Sequence, residues 1–475
     1  MTVWLDVEDL FDYALHHARP TGIQRLSFEL YAALVEFRGD AVRFCRHDRT
    51  AGTLRTVSWE ALRDTFAVLL NAAPKTPPAE VATVEEAAPR SLGGILRQAV
   101  RRVLPPTAQD SLAKARHAQR RALSSQVEAL RHGGRAILSV AAREAGSPAG
   151  LLSRASWVGP DNLDLRDEAR PGDVLAALGS PWFRNDYAAF VGGFARAQGL
   201  RMALLAYDLI PLLHPEWCDR SNVPIFTAWI SSHLPLATDV FAISASTARD
   251  LEAWSDRTGV PVARPVHVLP IGTGFSGPPV EGTATLPAGL TPGSFVLMVS
   301  TVEARKNHLL AFRVWRRLLA EMPPERVPTL VFAGKVGWLV ADLMQQLENS
   351  AFLGGKVVLL RSPTDADLVA LYRGCRFTLY PSLYEGWGLP VTESLSFGKL
   401  CIASDRSSVP EAGGDVCLYV DPDNVTAATE VIRRAITDDA LIAEREAAIR
   451  ATFRPTPWRE TAETLLAHLS GRAGT

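Results

Sequence analysis

Short apolar runs, each followed by a stretch with helical periodicity, recur along most of this 475-residue chain. In the first half they are DVLAALG, MALLAY and DVFAIS, with VHVLPIG after them. In the second half they are FVLMVS, TLVFAG, VVLL, FTLYPS and LCIAS. Runs this short, apolar throughout rather than at alternate positions, fit strands covered on both faces of a parallel sheet. Consecutive parallel strands need a crossover, and the helical stretches supply it. The class is therefore α/β, with helices on both faces of each sheet.

The segment SGPPVEGTATLPAGLTPG, at 276–293, is rich in Gly, Pro and Thr and divides the two series. Two Rossmann-like domains follow, over 1–275 and 294–455, facing each other across a cleft. Ligands bind such sheets beyond the carboxyl ends of the strands. The chain opens with a strand over 3–10 and a loop holding Pro20, Thr21 and Gly22. A helix carrying Leu26, Leu30, Ala33, Leu34 and Phe37 comes next.

Composition excludes several classes. Lys plus Arg is 50 and Asp plus Glu is 51, for a formal net charge of −1. A dedicated nucleic-acid binder carries a basic excess instead. Five cysteines (Cys45, Cys218, Cys375, Cys401 and Cys417) form no CxxC pair, which argues against a disulfide framework or a zinc site. His16, His17 and His214 lack metal-ligand spacing, so neither a metal nor a cofactor is expected. The start, MTVWLDVEDLFDY, carries acids where a secretory signal needs bases and an apolar run. No apolar stretch reaches the ~18 residues of a membrane span. The expected location is cytoplasmic.

Residues 40–160 read as an insertion. Within it, 90–135 carries ten Lys or Arg against two acids, with Leu112, Ala115, Leu123, Val127 and Leu130 near one helical stripe. One reading is a solvated charged helix. The other is a peripheral contact with the inner face of the cytoplasmic membrane, since each basic residue near an anionic surface gains ~1 kcal/mol.

The segment FTLYPSLYEGWGLPVTESLSFGK is the richest in chemistry. Glu385 falls in a loop at a strand end, followed by Gly386, Trp387, Gly388 and Leu389. Pro390 suits a first helical turn. Glu393 is expected in that turn, facing the same cleft as Glu385. The glycines permit close backbone approach, and the helix N-terminus after them suits phosphate. A plain strand–loop–helix turn is the alternative.

The block EGWGLPVTE resembles the E-x7-E signature of retaining nucleotide-sugar glycosyltransferases of family 4, which have the two-domain GT-B fold. VSTVEARKNHLLAF is similar to the segment where that family sets a basic pair, here Arg305 and Lys306, against the donor diphosphate. VFAGKVGW, the run SPTDADLVALYRGCRFTLYPSLYEGWGLP, and CIASDRSSVPEAGGDVCLYVDPDN follow in the family's order. RPTGIQR, AYDLIPLLHPE and FAISASTARDL resemble its first domain more weakly.

The resemblance implies a retaining, metal-independent hexosyltransferase. Its donor would be a nucleotide sugar, GDP-mannose first, and its acceptor a glycan or lipid-linked chain of bacterial surface polysaccharide. It also implies roles. Arg305 and Lys306 take the diphosphate charge, and Glu385 contacts the transferred sugar. Glu393 binds ribose, while Gly22 and the Gly386–Leu389 turn line the donor. Asp208 and Tyr207 become candidate sugar or acceptor contacts. A C-terminal helix within 456–475 crosses back to the first domain. Tyr207 stands where many members carry His, and Ser300 where some carry Arg. The competing reading is a non-catalytic GT-B scaffold that binds glycan or a partner transferase.

Overall fold

The computed structural model describes residues 1–17, 19–71, 162–183, 186–274 and 285–471. The basic stretch 90–135 and linker residues 276–284 lie outside them. Two sheets organise the rest.

The first sheet has strands β1 (Val3–Asp6), β2 (Val42–Asp48), β3 (Thr53–Val57), β4 (Val174–Ala177), β5 (Arg201–Ala206), β6 (Asp239–Ala242) and β7 (His267–Val268). Their order is β3-β2-β1-β4-β5-β6-β7. All neighbours are parallel except β2 and β3, which form a hairpin with Asp48 opposite Thr53. That hairpin shortens the expected insertion, because residues 42–57 belong to the sheet. Val3 pairs with Val42 on one side and Val174 on the other, so the strand order reverses around β1.

The opening strand is shorter than the sequence suggested. β1 ends at Asp6, and residues 8–10 begin helix α1 (Glu8–His16). Glu8 and Asp9 in the first turn favour the positive end of the helix, and Leu10 and Phe11 bury its inner face. Helix α2 (Gly22–Arg38) starts from Thr21, which forms a reciprocal capping box with Gln24. Gly22 is thus the first helical residue rather than a loop residue. Further on come α3 (Asn222–His233) and α4 (Ala245–Thr258), the latter capped by Ser244.

The second sheet has strands β8 (Phe295–Val299), β9 (Thr329–Ala333), β10 (Val357–Leu360), β11 (Thr378–Tyr380), β12 (Cys401–Ser404) and β13 (Leu418–Val420). Its order is β10-β9-β8-β11-β12-β13, and every pair is parallel. Here the order reverses between β8 and β11. Helices α5 (His308–Glu321), α6 (Asp365–Gly374), α7 (Leu389–Ser396), α8 (Val409–Gly413) and α9 (Val425–Thr437) flank it. Trp315, Phe332, Phe377 and Ile432 are fully buried in its main core.

Helix α10 (Trp458–Leu469) returns to the first domain. Thr461 donates to the Pro270 carbonyl at 2.6 Å, and Arg201 donates to the Leu469 carbonyl at 2.8 Å. The Trp458 ring lies so close to Gly272 that a Cβ there would overlap it.

The domains touch through polar bonds. The Glu411 carboxylate, on α8, accepts from the backbone N–H groups of Ala245 and Ser246 at 2.7 Å each, at the N-terminus of α4. Tyr384 donates to Asp250 at 2.7 Å, and Arg25 pairs with Asp365 at 2.8 Å. A Cβ on Gly386 would sit 2.1 Å from the Tyr207 carbonyl oxygen, so only glycine permits that backbone approach.

Candidate active site

Beyond β8 the chain makes a short 3-10 turn, Ala304–Lys306, and then passes through Asn307 in the left-handed region (φ 60°). Asn tolerates that conformation better than most side chains. It also repays the turn locally. Its side chain caps α5 by accepting from Leu310 N at 3.3 Å. Its amide donates to the carbonyls of Pro381 (3.2 Å) and Pro422 (2.8 Å). The turn carrying Arg305 and Lys306 is thereby fixed against the loop after β11, at the point where the strand order reverses. Open α/β sheets bind their ligands there.

Glu385 stands between the two cations. Its carboxylate accepts from Arg305 at 2.5 Å and from Lys306 at 2.6 Å. Arg305 also donates to Glu303 (2.9 Å) and to the Tyr384 carbonyl (2.7 Å). Lys306 donates to the Tyr380 hydroxyl at 3.1 Å. Glu385 is 6% exposed and Glu303 3% exposed, so these charges are nearly out of water. Burial alone would push the Glu385 carboxyl up; the charges of Arg305 and Lys306 and their hydrogen bonds outweigh it and hold the group at about 2.

The two cations shift in opposite directions although they share Glu385. Burial opposes the charge on both. For Arg305 the Glu385 and Glu303 carboxylates overcome it, and the guanidinium moves up. For Lys306 burial and the Arg305 charge prevail over Glu385, and the ammonium moves down. Asp208 adjoins the group. Burial raises its carboxyl, Arg305 partly offsets that, and Glu385 adds to it.

The glycine-rich turn holds the loop. Gly388 adopts φ +143° at the start of α7, a backbone that side chains disfavour. Ser408 donates to the carbonyls of Glu385 (2.9 Å) and Trp387 (2.7 Å), and the Ser407 hydroxyl accepts from Glu385 N at 2.9 Å. Leu389 faces Gly22 across the domains, its Cδ1 lying 3.8 Å from where a Cβ would be. The buried indole N–H of Trp387 has no hydrogen-bond partner.

Two residues stand differently from their sequence reading. Glu393 occupies the second turn of α7, not the first, and lies outside the Arg305–Lys306 cluster. It accepts from Tyr372 at 2.8 Å. Burial pushes its carboxyl up to about 7, against that bond and the charge of Arg25. The Tyr207 phenol is committed to the Leu178 carbonyl at 2.7 Å, and burial raises it. Only the Tyr207 backbone borders the turn, at Gly386. Glu303, Tyr380, Ser407 and Ser408 belong to the site and carried no separate signal beyond adjacency to the motifs.

Residues 290–453 match the family described as Glycosyl transferases group 1. That stretch is similar to the group 1 glycosyl transferases. It contains Arg305, Lys306, Glu385, Glu393 and the whole second sheet.

The serotype-specific mannosyltransferase WbdA of Escherichia coli is 30% identical over 266 residues, covering 54% of this chain and 32% of WbdA. O-antigen chain mannosyltransferase B of Escherichia coli is 35% identical over 146 residues, covering 31% of this chain and 38% of that protein. The chain thus spans about a third of the length of these curated relatives. The Anabaena protein Alr3699/HepE, solved in complex with UDP and glucose, superposes with a TM-score of 0.53 over 99% of both chains at 13% identity. That likeness is one of fold, the GT-B arrangement of two facing sheets. No helix among the described residues is long and apolar enough to cross a membrane.

Proposed function

We propose that this chain transfers a hexose, mannose first, from a nucleoside-diphosphate sugar to a glycan or lipid-linked saccharide of bacterial surface polysaccharide. The observation that carries this reading is the Arg305–Glu385–Lys306 cluster at the reversal between β8 and β11. Two cations held together and mostly out of water suit an anionic leaving group.

The donor bond between the anomeric carbon and the diphosphate oxygen breaks. Arg305 and Lys306 take up the charge that develops on that oxygen, with the N-terminus of α7 beside them. The acceptor hydroxyl oxygen bonds to the anomeric carbon from the same face, and its proton passes to the departing phosphate. Configuration is retained, and no metal enters the scheme. An arriving diphosphate competes with Glu385 for the cations, and the released carboxylate then accepts from hydroxyls of the transferred sugar. Glu393 binds the ribose, and Gly22 with Gly386–Leu389 lines the donor. GDP-mannose is the first donor to test, given the mannosyltransferase relatives. The basic stretch 90–135 would bring the enzyme to an anionic membrane face.

The test is donor hydrolysis over a panel of UDP-, GDP-, dTDP- and ADP-sugars. Slow release of one nucleoside diphosphate, abolished in Lys306→Ala and Glu385→Ala, is the expected result. No turnover and no nucleotide-induced thermal shift would leave the scaffold reading in its place.

A further inference from the structure

Helix α2 of the first domain and helix α7 of the second begin face to face. Gly22 opens α2, and the Leu389 side chain, at the start of α7, lies 3.8 Å from where a Gly22 Cβ would stand. Arg25 and Glu393 lie one turn further along the two helices, since positions three and four apart share a helix face. Arg25 reaches from its helix to the second domain. Its guanidinium pairs with Asp365, the first residue of α6, at 2.8 Å. Arg19 crosses beside it and donates to the carbonyls of Ser362 (3.2 Å) and Pro363 (3.3 Å). The start of α2 is thereby tied to the loop between β10 and α6.

Glu393 borders this crossing and is sparsely provided with donors. Among the described residues its one hydrogen-bond donor is the Tyr372 hydroxyl, at 2.8 Å. The Tyr372 ring is itself fixed, stacked on Phe397 with centroids 5.1 Å apart. Two charges act on Glu393: Arg25 favours its ionised form, and Asp365 opposes it. Two acids thus share one guanidinium supplied by the facing domain, and Asp365 holds its hydrogen bond. Burial adds to Asp365, and the Glu393 carboxyl stands at about 7, so near neutral pH much of it carries a proton.

An ionised carboxylate makes the stronger, charge-assisted bonds to hydroxyls. A ribose contact at Glu393 therefore depends on what keeps the group ionised. Arg25 does so from outside the domain that carries Glu393. Asp365 keeps the guanidinium aimed at α6 and α7, but its own charge blunts the effect. We infer that Arg25 is a cross-domain positioning residue for the nucleoside end of the donor, holding the Glu393 carboxylate ready to accept from ribose hydroxyls. The inference rests on the ribose role given to Glu393 and adds the residue that couples this role to the facing domain.

A plain latch is the competing account: if the Arg25–Asp365 pair only ties the domains together, losing either partner weakens nucleotide binding alike at every pH. The experiment separates the two by sign. The full chain is titrated calorimetrically with GDP, UDP, dTDP and ADP, and the tightest binder is followed across pH in the variants. Arg25→Gln removes the favourable charge, so Glu393 should ionise about one pH unit higher. The Kd should then rise about 5-fold near pH 7 and return to within about 1.5-fold of wild type near pH 9. Asp365→Asn removes the opposing charge and should lower the Kd about 2-fold near pH 7. Arg25→Lys keeps the charge and should stay close to wild type. In a Glu393→Gln background, Arg25→Gln should lose its pH dependence. Parallel, pH-independent losses in both variants would overturn the inference, as would no change in either. So would a pH dependence that survives without Glu393. If Arg25→Gln fails to fold, the sign of the Asp365→Asn change decides alone. Glu393→Gln that binds like wild type at every pH removes the ribose role and the inference with it. Wild type that binds none of the four diphosphates removes the transferase reading itself, an outcome distinct from the others.

Discussion

Both domains turn their strand order at one point, and both place charged side chains there, but the charges are balanced in opposite ways. At the turning point of the second domain the acids have cations: Glu385 holds Arg305 and Lys306, and Glu303 completes Arg305. The Glu385 carboxyl is held at about 2. In the first domain Asp9 has a hydrogen bond from Ser180 N at 2.6 Å but no cation, and burial raises it to about 6. A buried ion pair is costly to break and cheap to exchange for another anion, whereas an uncompensated acid suits a neutral hydroxyl donor. One architecture thus sets an acid between two cations on one wall and an acid without a cation among the described residues on the other.

The comparison breaks most sharply with Glu385→Ala. Removing that carboxylate strands two buried cations, so donor turnover should fall about 100–1,000-fold. Stability in the absence of nucleotide should fall by about 3–5 kcal/mol. Nucleotide should restore much of that stability, because its phosphates supply the missing charge. Denaturant unfolding with and without GDP reads this directly.

Gly386→Ala tests whether the two walls must meet. The new Cβ would overlap the Tyr207 carbonyl and force the domains apart. The acceptor-dependent rate should fall about 100-fold, as misplacement of reacting groups commonly costs. Nucleotide binding, measured by thermal shift, should weaken less than that rate falls, because Arg305 and Lys306 lie on a separate turn.

Asp9→Asn carries the opposite sign in stability. A carboxyl raised from its ordinary value to about 6 stabilises the fold below about pH 4, and that contribution is lost as pH rises through about 6. The variant should therefore match wild type near pH 4 and be more stable at pH 8. The gain should be on the order of 1–2 kcal/mol after allowing for its partial solvent contact. A loss at pH 8 would mean that Ser180 requires the charge and would weaken the contrast between the walls. Glu411→Gln is the mildest change. It weakens one charged cap on the N-terminus of α4 and should cost about 0.5–1 kcal/mol of interdomain closure. Solution scattering without nucleotide, compared with wild type, would report it as a small increase in radius of gyration.

The second domain was easier to read than the first because its site is local. Arg305 and Lys306 are adjacent, and Glu385 lies in a short glycine-bounded block, so the cluster needs only two segments. The seven-residue spacing also suggested that Glu393 would share the cleft position of Glu385. A helix begun at Leu389 instead carries position 393 into its second turn, where Tyr372 of α6 meets it. Asp9 was hidden twice. It lay inside residues 3–10, whose weak alternation read as strand, and its partner Ser180 is 171 residues away. Tyr207 showed an aromatic beside an acid, but nothing local told that its phenol would reach back to Leu178. Most of the parallel strands were legible, whereas the short edge strand β13 and the antiparallel β2–β3 hairpin, with its mixed residues, were not.

The return of α10 also sets an order of assembly. The second domain is continuous in sequence, so all its parts leave the ribosome together. The first domain is split. Its sheet is synthesised first, yet the helix that buries Ala462 and Leu465 and seats Trp458 on Gly272 is synthesised after the entire second domain. Domains commonly fold in the order they are made. Here the one made first must wait, with an apolar surface uncovered, until the one made second is finished.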